Sequence, residues 1–508
     1  MAGDLPAPEW HHLHPMGGQP VSGDGAPLNG IQGPLVAAFR EAQARNAPQF
    51  TIPGHKGRIG EIDPDLLGPL AADQPLHGGL DTPKLSRGSL LHSERIAARH
   101  FGADWCRFGV GGSTQANLAL CLALGRPGDR VIVSRALHRS LFPGLVLAGL
   151  EPVWITPSAH RVTGLPLGIS PSALRRAVGR APEARAVILT DPGYLGTLSP
   201  ISELARIAHG AGMALVVDQA WGAHFGFHPG LPRHALALGA DALVTSVHKT
   251  GLGHTQASLA CARTGRLELA RLERAFDATH TTSPAGSILA SIEGSLALME
   301  ARGEELLGRT MELVRAARQQ LREALPGVGV PDESQFPGRD GPLFDPLRLV
   351  VQLAPLGADG RAVEVEMLRR GVALEYADRD LLAPVVTLAD DRGTVRRLVS
   401  EIVRAVGATG RGPARPLRPP LSWRVGPEVA MSPREAFFAG HERVAWQRAA
   451  GRVSAELVAP YPPGIPVLAP GEVVSANHLR ILRAAARGGA RIAYASDPSL
   501  STLDVISG

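Results

Sequence analysis

An apolar run leads directly into a lysine-bearing turn in Ala242-Leu243-Val244-Thr245-Ser246-Val247-His248-Lys249-Thr250-Gly251. The short run over residues 242–245 is typical of a strand, and the turn after it contains hydroxyls, imidazole and glycine. In such a turn Lys249 can be held away from water beside phosphate-binding groups, which would lower its pKa and fix its approach to an aldehyde. Lys249 is therefore a candidate for the lysine that binds pyridoxal phosphate as a Schiff base.

Asp218 is the first candidate partner of this lysine. It ends the run Ala214-Leu215-Val216-Val217, which predicts a buried parallel strand because it is short, continuous and apolar. A carboxylate at the carboxyl end of such a strand points into the ligand crevice of an open α/β sheet, where it would pair with a pyridine nitrogen. A strand-end aspartate that caps the next helix is an equally good interpretation of Asp218 alone.

Two further motifs would complete a cofactor site. Gly111-Gly112-Ser113-Thr114 precedes an apolar helical stretch, and the free N–H groups of a helix start bind phosphate. The alternative is an ordinary N-cap by Ser113. His138 follows the strand-like residues 131–133, where its imidazole could stack on a pyridine ring. A lone histidine after a strand is more often a hydrogen-bonded polar residue that contacts no cofactor.

These features together resemble the pyridoxal-phosphate enzymes of fold type I and, more narrowly, the ornithine/lysine/arginine decarboxylases. The resemblance extends over most of the chain and is most specific in its C-terminal part. The matching segments are Phe50-Thr51-Ile52-Pro53-Gly54-His55-Lys56-Gly57, Phe101-Gly102-Ala103-Asp104 with the glycine turn, Thr282-Ser283-Pro284, Gly451-Arg452-Val453, Glu456, residues 460–466 and Pro470-Gly471-Glu472. In length the chain is similar to the short members of the family, which lack a receiver-like N-terminal domain.

The resemblance implies an α/β fold: a fold type I large domain with a mostly parallel, doubly wound sheet, and smaller α+β C-terminal parts. It implies pyridoxal 5′-phosphate as cofactor, no metal, and catalytic roles for Lys249, Asp218 and His138. The implied cofactor-binding residues are Ser113, Thr114, His138, Asp218, Ala220, Ser246, His248, Lys249 and Ser283. Substrate contacts are expected from Tyr194, which as part of a plain turn would look the same, and from Glu456, for which a buried salt bridge is the alternative.

The function that the resemblance implies is decarboxylation of arginine, lysine or ornithine, with arginine preferred because the short members are the better match. Departures from the family pattern at Ala136, Gln219, Trp221 and Ala285 leave the substrate open. The acid that would bind its basic side chain is one of Asp81, Glu94, Glu375, Asp378 and Glu456.

Two other functions remain as hypotheses. The first is an aminotransferase on the same scaffold, because one fold supports many reactions. Arg348 would then bind the α-carboxylate, unless it forms a structural ion pair with Asp345. The second is a non-catalytic relative, which the departures at Gln219, Trp221 and Ala285 would suit and the presence of Lys249 and Asp218 would not.

Composition narrows the class of protein. A chain of 508 residues with 44% hydrophobic content predicts two or three globular domains. The net charge of +5 and the lack of a long basic block argue against nucleic-acid binding. Three widely spaced cysteines fit a reducing compartment. Without an apolar run of membrane-spanning length or a secretory signal, the predicted location is the cytoplasm, with no membrane partner.

The chain divides into four predicted parts. Residues 1–30 are expected to be a disordered tail, in which Trp10-His11-His12-Leu13-His14 is a weak metal motif. Residues 31–325 form the cofactor-binding large domain and end in a long helix from Glu293 to Leu325. Residues 345–410 form a small α+β domain. Residues 421–508 are a C-terminal segment of the decarboxylase type, after a proline-rich boundary.

A homodimer or higher homo-oligomer with shared active sites is expected from the resemblance. In the family the segment around Thr282-Ser283-Pro284 reaches the neighbouring subunit's phosphate site. Ser283 would then contribute across the interface. The alternative is that Ser283 caps the helix that follows it in the same chain.

Overall fold

The large domain is built on a seven-stranded sheet among the described residues, with strand order β1-β7-β6-β5-β4-β2-β3. The computed structural model describes residues 33–45, 73, 88–417, 426, 428–461, 465–488 and 490–508. The strands are β1 (Trp105–Gly109), β2 (Arg130–Ser134), β3 (Glu151–Ile155), β4 (Ala186–Thr190), β5 (Ala214–Asp218), β6 (Ala242–Ser246) and β7 (Ser258–Ala262). Strands β3, β2, β4, β5 and β6 pair in parallel, whereas β7 is antiparallel to both of its neighbours.

The sequence of β5 shows why this sheet is buried on both faces. Leu215 and Val217 pack into one hydrophobic cluster, and Ala214 and Val216 pack into another on the opposite face. Alternate residues of a strand point to opposite faces, so a continuous apolar run requires helices on both sides. The predicted mostly parallel, doubly wound sheet is therefore confirmed.

Strand β1 was not predicted from the sequence. Its central residue, Arg107, interrupts the apolar pattern that the other strands show. The Arg107 guanidinium lies 2.7 Å from the Glu273 carboxylate and 3.4 Å from Glu94. These two carboxylates supply the charge partners that an isolated five-residue sequence cannot reveal.

Helices cover the sheet and continue into the smaller parts. They are α1 (Pro34–Arg45), α2 (Ser89–His100), α3 (Gly112–Leu124), α4 (Leu141–Ala148), α5 (Pro171–Arg180), α6 (Ile201–Gly210), α7 (Val247–Thr250), α8 (Leu269–Thr279), α9 (Gly286–Ala324), α10 (Gly360–Arg369), α11 (Arg392–Thr409), α12 (Pro433–Phe438) and α13 (Ala476–Arg487). Among the described residues, no helix combines the length and the apolar character needed to cross a membrane.

Helix α9 links the large domain to the small one. It has 39 residues, about 58 Å at 1.5 Å per residue. Its first half packs in the large-domain core through Ile292, and its last turns pack in the small-domain core through Val314 and Leu321. The predicted start at Glu293 was wrong, because the helix begins at Gly286 with no side-chain cap to mark it.

The small domain and the C-terminal part each have their own sheet and core. In the small domain, β8 (Val351–Gln352) and β9 (Tyr376–Ala377) flank β10 (Leu381–Ala383). In the C-terminal part, β11 (His441–Ala445) pairs with β14 (Thr502–Ile506), and β12 (Ala459–Tyr461) pairs with β13 (Arg491–Ala493). Trp446, Leu468 and Leu503 are central to the C-terminal core.

A buried ion pair joins the C-terminal part to the large domain. The Arg135 guanidinium, just after β2, pairs with the Glu472 carboxylate and donates to the carbonyl oxygens of Pro466 and Val467 at 3.0 Å. It also lies over the Trp154 ring, 4.9 Å from the centroid. The contacts to Glu472, Pro466 and Val467 hold the C-terminal part against the large sheet beside the strand that leads to His138.

Several predictions fall outside the described residues. They concern the tail over residues 1–30 with its histidine motif, the Pro53-Gly54-His55-Lys56 segment, Asp81, residues 462–464 of the C-terminal signature and residues 418–420 of the proline-rich boundary.

Candidate active site

Lys249 lies at the carboxyl edge of the large sheet. Strand β6 ends at Ser246, and Lys249 belongs to the single helical turn α7 directly after it. The lysine is half-buried, and its Nζ lies 4.5 Å from the centroid of the Trp221 ring. Burial lowers the pKa of Lys249, and Arg348 lowers it further; Asp218 and Glu375 act in the opposite direction. A larger fraction of neutral amine is what a nucleophilic lysine requires.

Asp218 is buried at the end of the neighbouring strand β5. Its carboxylate accepts hydrogen bonds from the Asn117 side-chain amide at 2.9 Å and from the Ala220 N–H at 3.1 Å. No arginine or lysine nitrogen of the described chain lies within ion-pair distance of it. The alternative that Asp218 caps the next helix is wrong, because no helix starts in the residues that follow it. A buried carboxylate with only neutral donors can accept a cationic N–H from a ligand.

The glycine turn meets the lysine strand through two hydroxyls. Helix α3 begins at Gly112, and the buried Ser113 Oγ lies 2.7 Å from the Ser246 Oγ. Ser113 is therefore not the N-cap, which is Gly111 without any side-chain cap. The first N–H groups of a helix lack intrahelical acceptors, so those of Ser113 and Thr114 are available to an anion.

His138 is linked to Asp218 through other polar side chains. Its Nδ1 lies 2.8 Å from the Ser140 Oγ, which accepts from the same Asn117 amide nitrogen that donates to Asp218. The protein atoms around the imidazole lower the pKa of His138; Asp218 raises it, while Lys249 and Arg139 lower it. His138 is exposed, so a flat ligand could stack on its imidazole ring.

Of the other expected cofactor-binding residues, His248 and Ala220 lie near Lys249 and Asp218, whereas Ser283 does not. The imidazole Nδ1 of His248 lies 2.9 Å from the Ala257 carbonyl oxygen. The backbone N–H of Ala220 donates to the Asp218 carboxylate, which places Ala220 beside it. Ser283 is exposed, and no contact to Lys249, Ser113 or Ser246 is made by its side chain within the described chain. It does not cap α9 either, since the N-cap is Ala285. Its role across a subunit interface stays a prediction.

Tyr194 packs against Trp221, whose ring lies beside Lys249. Its ring meets the Trp221 ring edge to face at 5.3 Å, and its hydroxyl donates to Glu375 Oε1 at 2.9 Å. The Arg348 guanidinium lies over the same Trp221 ring at 4.5 Å and donates to the Tyr194 carbonyl oxygen. We call Trp221, Tyr194 and Glu375 the substrate wall.

The prediction of an Arg348–Asp345 ion pair was wrong, because the guanidinium and the carboxylate of these two described residues are not within ion-pair distance. Asp345 lies 3.2 Å from His224 Nε2 and accepts from the Leu347 N–H. Arg348 is buried, and its Nε has no hydrogen-bond partner in the described chain.

Glu456 is engaged within the C-terminal part. Its carboxylate accepts from the Ser496 N–H at 2.6 Å, the Ser496 hydroxyl at 2.7 Å and the Asp504 N–H at 2.9 Å. The structure therefore does not bring Glu456 to Lys249 within the chain, and it does not form the expected salt bridge. Its carboxylate holds the segments around Ser496 and β14 together.

Residues missed from the sequence include Asn117 and Ser140, which connect His138 with Asp218. Asn117 lies in the first turns of α3, three residues after the glycine turn, and a polar residue next to an apolar helical run gave no sign of a contact to β5. Arg348 was a candidate from the sequence, but its position over the Trp221 ring depends on how the small domain packs against the large one.

These groups fit pyridoxal phosphate. A lysine of lowered pKa, a buried carboxylate without a cationic partner and a helix start beside two serine hydroxyls match the aldehyde, the ring nitrogen and the phosphate, respectively. Among the described residues, no group of histidine, cysteine, aspartate and glutamate side chains is arranged to hold a metal ion.

Comparisons with known proteins agree with this chemistry. Sequence models of the Orn/Lys/Arg decarboxylase major domain and C-terminal domain match residues 33–332 and 421–492. Arginine decarboxylase from Halalkalibacterium halodurans is 32% identical over 94% of this chain and 98% of its own length. Arginine decarboxylase from Bacillus subtilis is 29% identical over 93% of this chain and 97% of its own length.

Solved structures show the same fold. Lysine decarboxylase A from Pseudomonas aeruginosa superposes with a TM-score of 0.80 at 22% identity, covering 94% of this chain and 81% of that chain. Serine palmitoyltransferase from Sphingomonas wittichii gives a TM-score of 0.54 at 18% identity, covering 75% of this chain and 84% of that chain. The chain has the fold of the type I pyridoxal-phosphate enzymes and belongs to the Orn/Lys/Arg decarboxylase family.

Proposed function

We propose that this protein removes the α-carboxylate of a basic amino acid as CO2, with pyridoxal 5′-phosphate as its cofactor. The observation that carries the proposal is that Lys249, whose pKa is lowered, and a buried Asp218 carboxylate that has only neutral donors follow or end neighbouring strands at one edge of the sheet. The similarity to arginine and lysine decarboxylases over most of the chain supports the reaction class.

The residues would divide the work according to their chemistry. When bound, the cofactor supplies an electron sink for the bond to the departing carboxylate. Asp218 would hold the proton on the ring nitrogen, and His138 would lie against the ring. Ser113, Thr114, Ser246 and His248 would bind the phosphate. The Lys249 amine would be displaced by the substrate amine and would then return a proton to Cα after CO2 leaves.

The rings of the substrate wall would limit the access of water to this step. Trp221 and Tyr194 lie between Lys249 and solvent-exposed Glu375. Water exclusion strengthens the interaction of Asp218 and Lys249 with the reacting atoms, because these charges then act in a medium of low dielectric constant.

The first test is spectroscopic and chemical. Purified protein is expected to take up pyridoxal phosphate, absorb visible light and lose that band on borohydride reduction, with the label on Lys249 by peptide mapping. The Lys249→Ala variant serves as the control and should show no label. A wild-type protein that stays colourless with excess cofactor would contradict the proposal.

An aminotransferase is the second candidate, and buried Arg348 is the observation that favours it. Its unpaired Nε could donate to an α-carboxylate. Carboxyl-labelled substrate distinguishes the two reactions: labelled CO2 without any 2-oxo acid supports decarboxylation, whereas strict dependence on an acceptor supports transamination. Turnover that disappears in Lys249→Ala would dismiss a non-catalytic role.

The assembly and location of the protein are part of the proposal. We infer a homodimer or higher homo-oligomer in which Ser283 reaches the partner's phosphate site. A cytoplasmic location, in a pathway that forms polyamines, is supported by the free and buried state of Cys106, Cys121 and Cys261, which suits a reducing compartment.

A further inference from the structure

Four of the candidate carboxylates for the substrate side chain lie in the described chain, and they can be distinguished by what each already binds. Glu94 accepts from the Phe108 N–H and pairs with Arg107. The Asp378 carboxylate accepts from the Tyr376 hydroxyl and from two backbone N–H groups at 2.7–2.8 Å. Glu456 is held within the C-terminal part by three donors. Each of these carboxylates stabilises its own part of the fold.

Glu375 differs from these acids in position and in partners. It precedes β9 at the edge of the small domain and is exposed. Its Oε1 accepts from the Tyr194 hydroxyl at 2.9 Å, and its Oε2 has no hydrogen-bond donor among the described residues. One carboxylate oxygen is thus held in place by a neutral group, and the other remains open to a cation.

A continuous line of contacts connects this carboxylate with the reacting lysine. Lys249 Nζ lies 4.5 Å from the Trp221 ring, and the Trp221 ring lies 5.3 Å from the Tyr194 ring, whose hydroxyl meets Glu375. The substrate wall therefore begins at the site of bond breaking and ends at a carboxylate. An aliphatic chain can pack along the two rings between these ends.

The charges along the wall also favour one orientation of the substrate. Buried Arg348 lies over Trp221 near Lys249 and would repel a second cation there. Glu375 opposes that effect from the outer end, where its carboxylate raises the pKa of both Lys249 and Arg348. A substrate with an anionic α-carboxylate and a cationic side chain is therefore best accommodated with its cation towards Glu375.

We propose that Glu375 is the specificity-determining residue that binds the guanidinium or ammonium group of the substrate side chain, with Tyr194 as the residue that positions its carboxylate. The inference rests on the proposed decarboxylation of a basic amino acid and assigns the recognition of its distal charge.

The test compares Glu375→Gln with the wild-type holoenzyme on arginine, lysine and ornithine and on the neutral analogues citrulline and norleucine. The variant is expected to raise KM for the preferred basic substrate about tenfold or more, since a charge-assisted hydrogen bond is lost. Its kcat should stay within about threefold, and its activity towards the neutral analogues should not fall. Tyr194→Phe should raise KM by a smaller factor, and Glu304→Gln, an exposed acid on α9, is the matched control.

A binding measurement separates this inference from the proposed function. Calorimetry of agmatine, cadaverine and putrescine with borohydride-reduced holoenzyme should show about tenfold weaker binding to Glu375→Gln for the amine that wild-type protein prefers. Wild-type protein that releases no CO2 from any basic amino acid would contradict the proposed function, while the amine titration would still test Glu375. The inference is overturned by amine binding and KM within twofold of wild type, by equal losses for charged and neutral ligands, or by wild-type protein that binds none of the amines.

Discussion

Lys249 and Asp218 show how single side chains acquire reactivity from their surroundings. Burial lowers the pKa of Lys249 even though Asp218 and Glu375 raise it, so desolvation and Arg348 together outweigh the attraction of the two carboxylates. Asp218 is buried with two neutral donors and lacks a cationic partner within the described chain. We therefore expect the two residues to contact different parts of one ligand.

The role of Asp218 can be tested by removing the negative charge of its carboxylate. Asp218→Asn keeps the shape of the side chain but cannot stabilise a protonated ring nitrogen, so we expect kcat to fall about 100-fold or more. Cofactor attachment to Lys249 should persist. Activity measured with N-methylated pyridoxal phosphate, which carries a permanent positive charge, should recover partly in the variant and should not rise in wild type. Equal losses with both cofactors would contradict the assigned role.

Among the elements, the start of α3 is the one that we expect to hold the cofactor's phosphate. Gly112 has φ +67°, and a Cβ built on it would meet no atom within 4 Å. Space is therefore available, and only the left-handed backbone conformation requires glycine there. This turn places the first N–H groups of α3 beside the Ser113–Ser246 hydroxyl pair.

Gly112→Ala is expected to destabilise the protein by about 1–2 kcal/mol, because alanine disfavours this conformation. It should also weaken the affinity for pyridoxal phosphate, as the helix start is displaced. The matched control is Gly407→Ala in α11, where a Cβ is also unobstructed but the backbone is helical. That variant should gain about 0.5–1 kcal/mol. Denaturant unfolding and cofactor titration measure both effects, and equal behaviour of the two variants would refute the strain argument.

For the whole molecule, the open question is whether two chains build one site. Ser283 is exposed just before α9, and its side chain neither caps that helix nor reaches Lys249 within the described chain. A phosphate contact from Ser283 therefore needs a second subunit. A site between two large domains would also be better shielded from water.

Subunit mixing tests this arrangement. Lys249→Ala and Ser283→Asp proteins should each be inactive, the latter because a carboxylate repels the phosphate. After random exchange, heterodimers would contain one site that lacks both changes, so up to about a quarter of wild-type activity should return on statistical grounds. Mixing Lys249→Ala with Asp218→Asn is the control: both residues belong to the same chain's site, so every heterodimer site carries one of the two changes and activity should not rise above that of the Asp218→Asn protein. Heterodimers that form without recovery in the first mixture would refute the shared site.

Local patterns were sufficient for the strands β2, β5 and β6, because each contains a short apolar run that is buried in the sheet. They were insufficient for β1, where Arg107 is balanced by acids that are distant in sequence. The start of α9 was also missed, since Ala285 and Gly286 carry no capping side chain.

The sequence by itself determined the mostly parallel sheet apart from β1, the lysine turn, the glycine turn and the family, because these depend on short-range periodicity and on residue order along the chain. Only the tertiary structure decided which acids are already bound, that Ser113 meets Ser246, that Arg348 lies over Trp221, and that Glu375 ends the wall at Lys249. These contacts join residues from separate elements and domains. Their distances arise from how the elements of the large domain meet and from how the small domain packs against them, which no local pattern contains.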